Sequence, residues 1–354
     1  MQNILTFVCR ILKVQSQIMK NIVRLFLVFI VAGQMLSCET DFDVIADYKE
    51  VAIVYGLLNQ SDSIQYLRIN KAFLGEGNSL SYAQVADSST FGADISVILI
   101  ETTPGGITKE IIFDTVTLSN KQPGDFYSPN QLFYFSDEPL NQDNSYELKV
   151  VHKKTGYEVS SVTRLVHNFS ITKPSAGAKT LSLKRSVTQP NKFEWDNAEN
   201  GKRYQFRFYF NFKELNFGSN DTVYRKIEWL FPEVVSEKID GTGESSVGYT
   251  NEQFYLLCEN KIPYTDAAAE ENVSVRYASI CDLEITAIGD EFNAYLESNS
   301  PSTGVLIDKP VYNNITNGFG LFSCRYQINR LIPLSAETVL DLSTTTNLKF
   351  SKPN

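Results

Sequence analysis

Residues Tyr204 to Lys213 read Tyr-Gln-Phe-Arg-Phe-Tyr-Phe-Asn-Phe-Lys, and this order constrains the fold more than any other stretch. Tyr204, Phe206, Phe208, Phe210 and Phe212 alternate with Gln205, Arg207, Tyr209, Asn211 and Lys213. Side chains of a β-strand point to opposite faces in turn, so one face of this segment is core and the other is wet. An aromatic strip of this kind could hold sugar rings, but core packing is its expected role. Just upstream, Trp195 ends one strand and Asn200-Gly201 supplies a turn.

The same period marks most of the chain. Residues 51–59 and 63–73 read as strands joined by Gln60-Ser61-Asp62, with Ile64, Tyr66 or Leu67, and Ile69 on the buried face. Residues 95–102 and 108–116 flank Pro104-Gly105-Gly106, and 131–136 form another short strand. Residues 146–153 and 157–165 flank Lys154-Thr155-Gly156, the clearest hairpin. The polar stretch 76–89 reads as a loop. A break with Pro174 and Gly177 follows His167. Beyond it, 222–231, 273–288 and 317–326 read as strands and 241–248 as a loop. Residues 250–262 read as a helix with Thr250 as N-cap and Gln253 three places on, and 290–299 and 335–342 as further helices. The 23 Phe and 18 Tyr fit sheet better than helical bundles. The expected fold class is mainly β, with two β-sandwich domains. Residues 49–167 resemble an immunoglobulin- or transthyretin-like sandwich. Residues 168–354, with a tryptophan strand, a turn and a tyrosine-led strand, resemble a fibronectin type III module with short helical insertions.

The N-terminus sets the compartment. Leu25 to Ala32 is an apolar run preceded by Lys20 and Arg24. It is about half the roughly 20 residues a membrane-spanning helix requires, and its layout is that of a secretory signal. Leu36-Ser37-Cys38 resembles a bacterial lipobox, which implies cleavage before Cys38 and acylation of it; Met35 stands where Leu is usual. Two or more acyl chains anchor a protein stably. Residues 1–37 are therefore the expected signal peptide, with translation starting at Met19, and 38–48 the tether. Glu39, Asp41 and Asp43 resemble the surface-export signal of Bacteroidota-type lipoproteins. Loss of 1–37 removes Arg10, Lys13, Lys20 and Arg24 and no acid, leaving 28 Lys and Arg against 41 Asp and Glu, near −13. That balance argues against nucleic acid as a partner.

Four stretches, 54–78, 146–166, 193–214 and 309–326, are together similar to a family of Bacteroidota-type outer-membrane lipoproteins of unknown function. The last, which contains Asn314-Ile315-Thr316-Asn317-Gly318-Phe319-Gly320, is the most specific. The resemblance implies an immunoglobulin-like N-terminal domain and, since members are often encoded near TonB-dependent receptors, a place beside an outer-membrane transporter. It supplies no catalytic residue. Cys324 stands where the family pattern implies a small residue.

The motifs of common chemistries are missing. His-Glu-x-x-His, Cys-x-x-Cys, the phosphate loop and the dinucleotide fingerprint do not occur. The two histidines, His152 and His167, fall on a hairpin strand and in the interdomain joint, where structural roles are expected. Asp282 and Glu284 would share one face of a strand about 7 Å apart. With Glu194, Asp196 and Glu228 they are the carboxylates a glycosidase could use, although surface acids are the simpler reading. Asp41 and Asp43 lack the pattern of a calcium loop. Of the cysteines, Cys258 and Cys281 are closest in sequence among Cys258, Cys281 and Cys324, and form a possible disulfide; three buried free thiols is the alternative. Asn168, Asn220, Asn272 and Asn314 begin Asn-x-Ser/Thr triplets that imply no glycan in a bacterial lipoprotein.

No enzyme activity, cofactor or metal is expected. The expected function is a surface-exposed outer-membrane lipoprotein, lipid-anchored at Cys38. It would act as a non-enzymatic binding or accessory component beside a TonB-dependent receptor. The alternatives are a carbohydrate-binding protein, with Tyr209 or Trp229 as platforms, or an adhesin or scaffold module with a protein ligand.

Overall fold

The computed structural model describes residues 51–72, 79–119, 121–124, 127–128, 130–216, 222–263, 273–300 and 311–353. The leader, the tether and Cys38 lie outside the described residues. Lys49–Asn354 forms one compact unit. It is mainly β, with mixed sheets and some helices.

The first half contributes β1 (Ala52–Leu58), β2 (Gln65–Lys71), β3 (Ile95–Thr102), β4 (Thr108–Ile112), β5 (Asp114–Leu118), β6 (Gln131–Ser136), β7 (Ser145–His152) and β8 (Glu158–Arg164). The second contributes β9 (Ile171–Lys173), β10 (Asn191–Asp196), β11 (Arg203–Asn216), β12 (Thr222–Leu230), β13 (Val234–Val235), β14 (Glu244–Tyr249), β15 (Val273–Ile288) and β16 (Phe319–Pro333). A long sheet runs in the order β12-β11-β15-β16-β1-β2-β6-β5, with β13 on one end of β11. The smaller sheets are β4-β3-β7-β8 and β14-β10-β9. The longer helices among the described residues are α1 (Asn251–Lys261), α2 (Asp290–Asn299) and α3 (Ala336–Thr345).

The alternation in β11 becomes burial as expected. Tyr204, Phe206, Phe208 and Phe210 are wholly inaccessible and Phe212 nearly so. Against this face lies the three-stranded sheet. Phe193 stacks on Phe206 at 4.7 Å between ring centroids and on Tyr249 at 4.5 Å, and Trp195 stacks on Phe206 at 5.9 Å. Offset stacks of this kind add to the free energy of area burial. The β7–β8 hairpin turns on Gly156, whose φ of +71° suits glycine. Helix α1 carries the expected capping box, with the Thr250 amide donating to Gln253 Oε1 at 2.8 Å.

Three local expectations change. Residues 108–116 are two strands, because the chain crosses between sheets at Phe113: β4 pairs with β3, whereas β5 pairs with β6 in the long sheet. The buried Phe113 ring fills that corner. Within 241–248, residues from Glu244 on form β14, since Ser245, Val247 and Tyr249 alternate into the core. Within 76–89, two short helical turns, Ser79–Ala83 and Ala86–Ser89, stand where a loop was expected.

The halves on either side of His167 meet in a single sheet through the parallel pair β1·β16, in register from Ile53↔Phe319 to Leu58↔Cys324. Phe319–Cys324 forms the β16 side of this seam, and Asn314 folds back onto it. The Asn314 amide donates to the Phe322 carbonyl at 2.6 Å and accepts from its N–H at 3.0 Å. Gly320 has φ +121°, and a Cβ there would run into the Val54 carbonyl. Glycine at position 320 thus has a steric basis: only glycine lets two backbones lie this close.

One face of the long sheet is core. Of the described helices, α2 lies on the opposite face, held by Arg203 Nε donating to Asn293 Oδ1 at 2.7 Å and Ser323 Oγ to Glu291 Oε2 at 3.0 Å.

Candidate functional site

Strand alternation makes the site. In β1 and β2, Val54, Leu58, Leu67 and Ile69 enter the core. The intervening Tyr55 and Arg68 are direct partners across the two strands and face outward. Tyr66 follows in the same phase and meets Phe133 edge-on at 6.2 Å and Phe135 at 6.5 Å. The parallel seam sets Leu321 beside Tyr55. Above these strands, α2 brings Phe292 and Tyr295. Together they enclose an open cleft of about 450 Å³.

Charge lies at its ends. Arg325 Nη2 is 3.5 Å from Asp62 Oδ2. Arg68 Nε donates to Asn70 Oδ1 at 3.4 Å, and among the described residues it has no carboxylate partner. Burial, and then the Tyr295 hydroxyl beside it, push the Tyr55 hydroxyl above its ordinary pKa. An aromatic floor with a few polar groups and a volume between about 300 and 1,000 Å³ is the usual form of a small-ligand site. A second hollow, of about 520 Å³, opens between β13 and β14 and is lined without an aromatic side chain.

The sequence-picked acids lie elsewhere. Glu228, Asp282 and Glu284 share the outer face of β12, β11 and β15 with Tyr209. Arg207 bridges Glu228 at 3.3 Å and Glu284 at 3.2 Å. Asn329 donates to both Asp282 oxygens, at 3.3 and 3.2 Å, and Gln327 to Glu284 at 3.2 Å. Burial is the main cause that raises the Asp282 pKa. Lys226 Nζ sits 3.4 Å above the Tyr209 ring, so that platform is occupied. Glu194 pairs with Lys192, and Asp196 accepts from Ser170 Oγ at 2.6 Å. Trp229 packs on Phe231 at 4.6 Å, as a ring of the core rim.

His152 ends β7 with its Nδ1 2.9 Å from Thr155 Oγ1, and His167 Nδ1 is 3.6 Å from Glu199 Oε2. The possible Cys258–Cys281 disulfide is not formed: Cys258, Cys281 and Cys324 are buried free thiols. Cys258 on α1 and Cys281 on β15 point into the same apolar core and serve as small hydrophobic groups. Cys324 donates to the Arg164 carbonyl at 2.9 Å. Asn168 and Asn314 are used in hydrogen bonds, while Asn220 and Asn272 lie outside the described residues. Among the described residues, no group of three or more His, Cys, Asp or Glu could hold a metal ion. No described helix is long and apolar enough to cross a membrane.

The cleft residues were missed from sequence because Tyr66 and Leu67 compete for the buried face. A signal was present nonetheless: 63–71 and 131–136 carry large apolar groups in both phases, which marks a sheet with two used faces.

No family model matches the chain, and no curated protein matches it. Among solved structures, the C-terminal globular domain of an oligosaccharyltransferase from Pyrococcus abyssi aligns at 9% identity and a TM-score of 0.25. That alignment covers 82% of this chain and 52% of the other, so the chain spans about half the length of that neighbour. CBD12 from CALX1.2 aligns at 7% identity and a TM-score of 0.16, over 78% of this chain and 100% of the other. At such scores neither bears on fold or function.

Proposed function

We propose that this chain is a non-enzymatic binding protein, held at the cell surface by acyl chains on Cys38, whose ligand occupies the aromatic cleft between β1, β2, β6, β16 and α2. The carrying observation is the cleft itself: Tyr55 and Tyr66 remain 43% and 42% exposed beside Phe133, Phe292 and Tyr295. Large rings left open in a concave site are more informative than scattered surface apolar groups. The signal layout and Leu36-Ser37-Cys38 support the anchor, and the acidic tether supports surface display. The engagement of Glu228, Asp282 and Glu284 with neighbouring side chains supports binding over hydrolysis.

In fold, we read the halves as an immunoglobulin-like and a fibronectin type III-like sandwich fused along the β1·β16 seam. The Tyr204 hydroxyl accepts from the Ala198 amide at 2.7 Å, a tyrosine reaching back across its turn as in immunoglobulin-like domains. A place beside a TonB-dependent transporter rests on the family resemblance; exposed Leu230 and Leu331 on the outer sheet face favour a protein contact there.

Three measurements test this. Intact mass of the membrane-extracted protein should show a chain beginning at an acylated Cys38, and protease shaving of intact cells should release it unless Cys38→Ala is present. A mature chain that begins elsewhere, or carries no acyl mass, refutes the anchor. Tyr66→Ala should abolish ligand retention with an unchanged melting curve; full retention would remove the cleft as the site.

A further inference from the structure

The cleft is built for a narrower class of ligand than its volume alone implies. Tyr55, Tyr66 and Phe133 are presented by β1, β2 and β6, each of which has a neighbouring strand on both sides, β1 between β16 and β2, β2 between β1 and β6, β6 between β2 and β5, while Phe292 and Tyr295 come from α2. At Tyr66, where β2 pairs with both β1 and β6, the backbone is already engaged, which disfavours addition of an extended peptide at that ring. What remains available is ring faces, tyrosine hydroxyls and guanidinium groups. A pyranose ring matches that set, with an apolar C–H face to lie on an aromatic ring and an equatorial belt of hydroxyls to meet a polar rim. Rings fixed on paired strands also bind with little loss of side-chain freedom.

The charge is the second observation. The whole chain carries −9, yet the charged residues lining this cleft are Arg68, Arg325 and Asp62. Arg68 has no carboxylate partner among the described residues, and the Arg325–Asp62 contact, at 3.5 Å between half-exposed groups, is weak. Arg68 is thus a guanidinium of the cleft left without a carboxylate among the described residues, and its donors are open to an anionic ligand. Arginine is the side chain suited to bidentate contact with carboxylate or sulfate-like oxygens. Arg68 lies directly across the strand pair from Tyr55, and Arg325 lies about 13 Å of strand rise beyond Leu321, which is beside Tyr55 on the other flank, so the two guanidinium groups are at separate places in the cleft.

Resting on the reading of the cleft as the ligand site, we propose that it binds an anionic oligosaccharide, with sugar faces on Tyr66 and Tyr55 and acidic substituents read by Arg68 and Arg325. The acidic group is a uronate carboxylate or a sulfate ester, and the two share the chemistry the arginines recognise.

The test uses the full chain in detergent, titrated calorimetrically with polygalacturonate, chondroitin sulfate, neutral dextran and polyglutamate. Binding of one or both anionic polysaccharides is expected, weakened about tenfold or more by Arg68→Met and by Tyr66→Ala, and weakened as salt rises. Polygalacturonate alone assigns the carboxylate, and chondroitin sulfate alone the sulfate. Melting curves of both variants that match the parent exclude a folding defect, and Arg68→Lys, which keeps charge but not the fork, should recover only part of the affinity. Equal binding of dextran, lost in Tyr66→Ala but not in Arg68→Met, would overturn the anionic claim while leaving the cleft as the site. Equal binding of polyglutamate would overturn the saccharide claim. Silence of all four probes would overturn this proposal and remove support from the cleft reading as well.

Discussion

Arg276 and Glu214 form a buried ion pair at the end of the aromatic stripe, with Arg276 Nε 2.8 Å from Glu214 Oε1 and both side chains nearly inaccessible. They are register partners on β15 and β11, and Glu214 follows Phe210 and Phe212 in the core-facing phase. Arg276 Nη1 also donates to the Leu348 carbonyl at 2.8 Å, and its backbone amide to Lys349 at 2.8 Å. The pair therefore ties the C-terminal tail to the sheet. Removing one buried partner strands the other, which costs about 3–5 kcal/mol. Glu214→Ala should lower unfolding stability by that amount in urea and expose residues 346–353 to protease. A loss under about 1 kcal/mol would show that the pair is solvated.

The β1·β16 seam rests on Gly320. Alanine there would meet both a positive φ and the Val54 carbonyl. Gly320→Ala should destabilise by about 3 kcal/mol or more, or prevent soluble folding. Gly177→Ala, where nothing lies within 4 Å of the added Cβ, should be neutral or slightly stabilising. Thermal melts of the two variants side by side make the comparison; equal melting temperatures would refute the steric account.

Alternation in β11 gives a paired test. Phe208→Ala removes a fully buried ring and should cost about 3–5 kcal/mol. Lys213→Ala, on the outer face, should stay within about 0.5 kcal/mol. Denaturant midpoints at unchanged slope report both values.

Stability should fall in alkali. Burial pushes the Cys324 thiol up to about 12, and the Tyr204 and Tyr249 hydroxyls also to about 12, while Cys258 and Cys281 shift in the same direction. Each folded pKa is above its unfolded value, so the unfolded chain releases protons first as pH rises. The stability these groups contribute is intact below about pH 9 and is lost as pH climbs from there toward about 12. Denaturation curves between pH 7 and 11 measure it. At pH 8 the three thiols should resist alkylation until the protein unfolds, because a buried neutral thiol is a poor nucleophile. Fast labelling of the native protein would refute their burial.

Much of the strand pattern was legible in sequence because period-two alternation is local. The β11 stripe, the hairpin at Gly156 and the capping box of α1 each needed only neighbouring residues to specify them. The crossing at Phe113 was not legible, since a continuous run such as 108–116 does not say that its two ends pair in different sheets. The free state of Cys258 and Cys281 likewise depends on how α1 and β15 pack.

The chain by itself determined the apolar stripe of β11, the turn at Gly156 and the cap of α1, because those follow from side-chain direction and backbone sterics within a few residues. Tertiary structure alone decided that β16 lies parallel to β1, and so which outward residues become neighbours. Tyr55 and Arg68 on two strands, Leu321 and Arg325 on a third, and Tyr295 on α2 are drawn from sites more than two hundred residues apart. Their meeting depends on long-range strand register, which leaves no trace in any single segment.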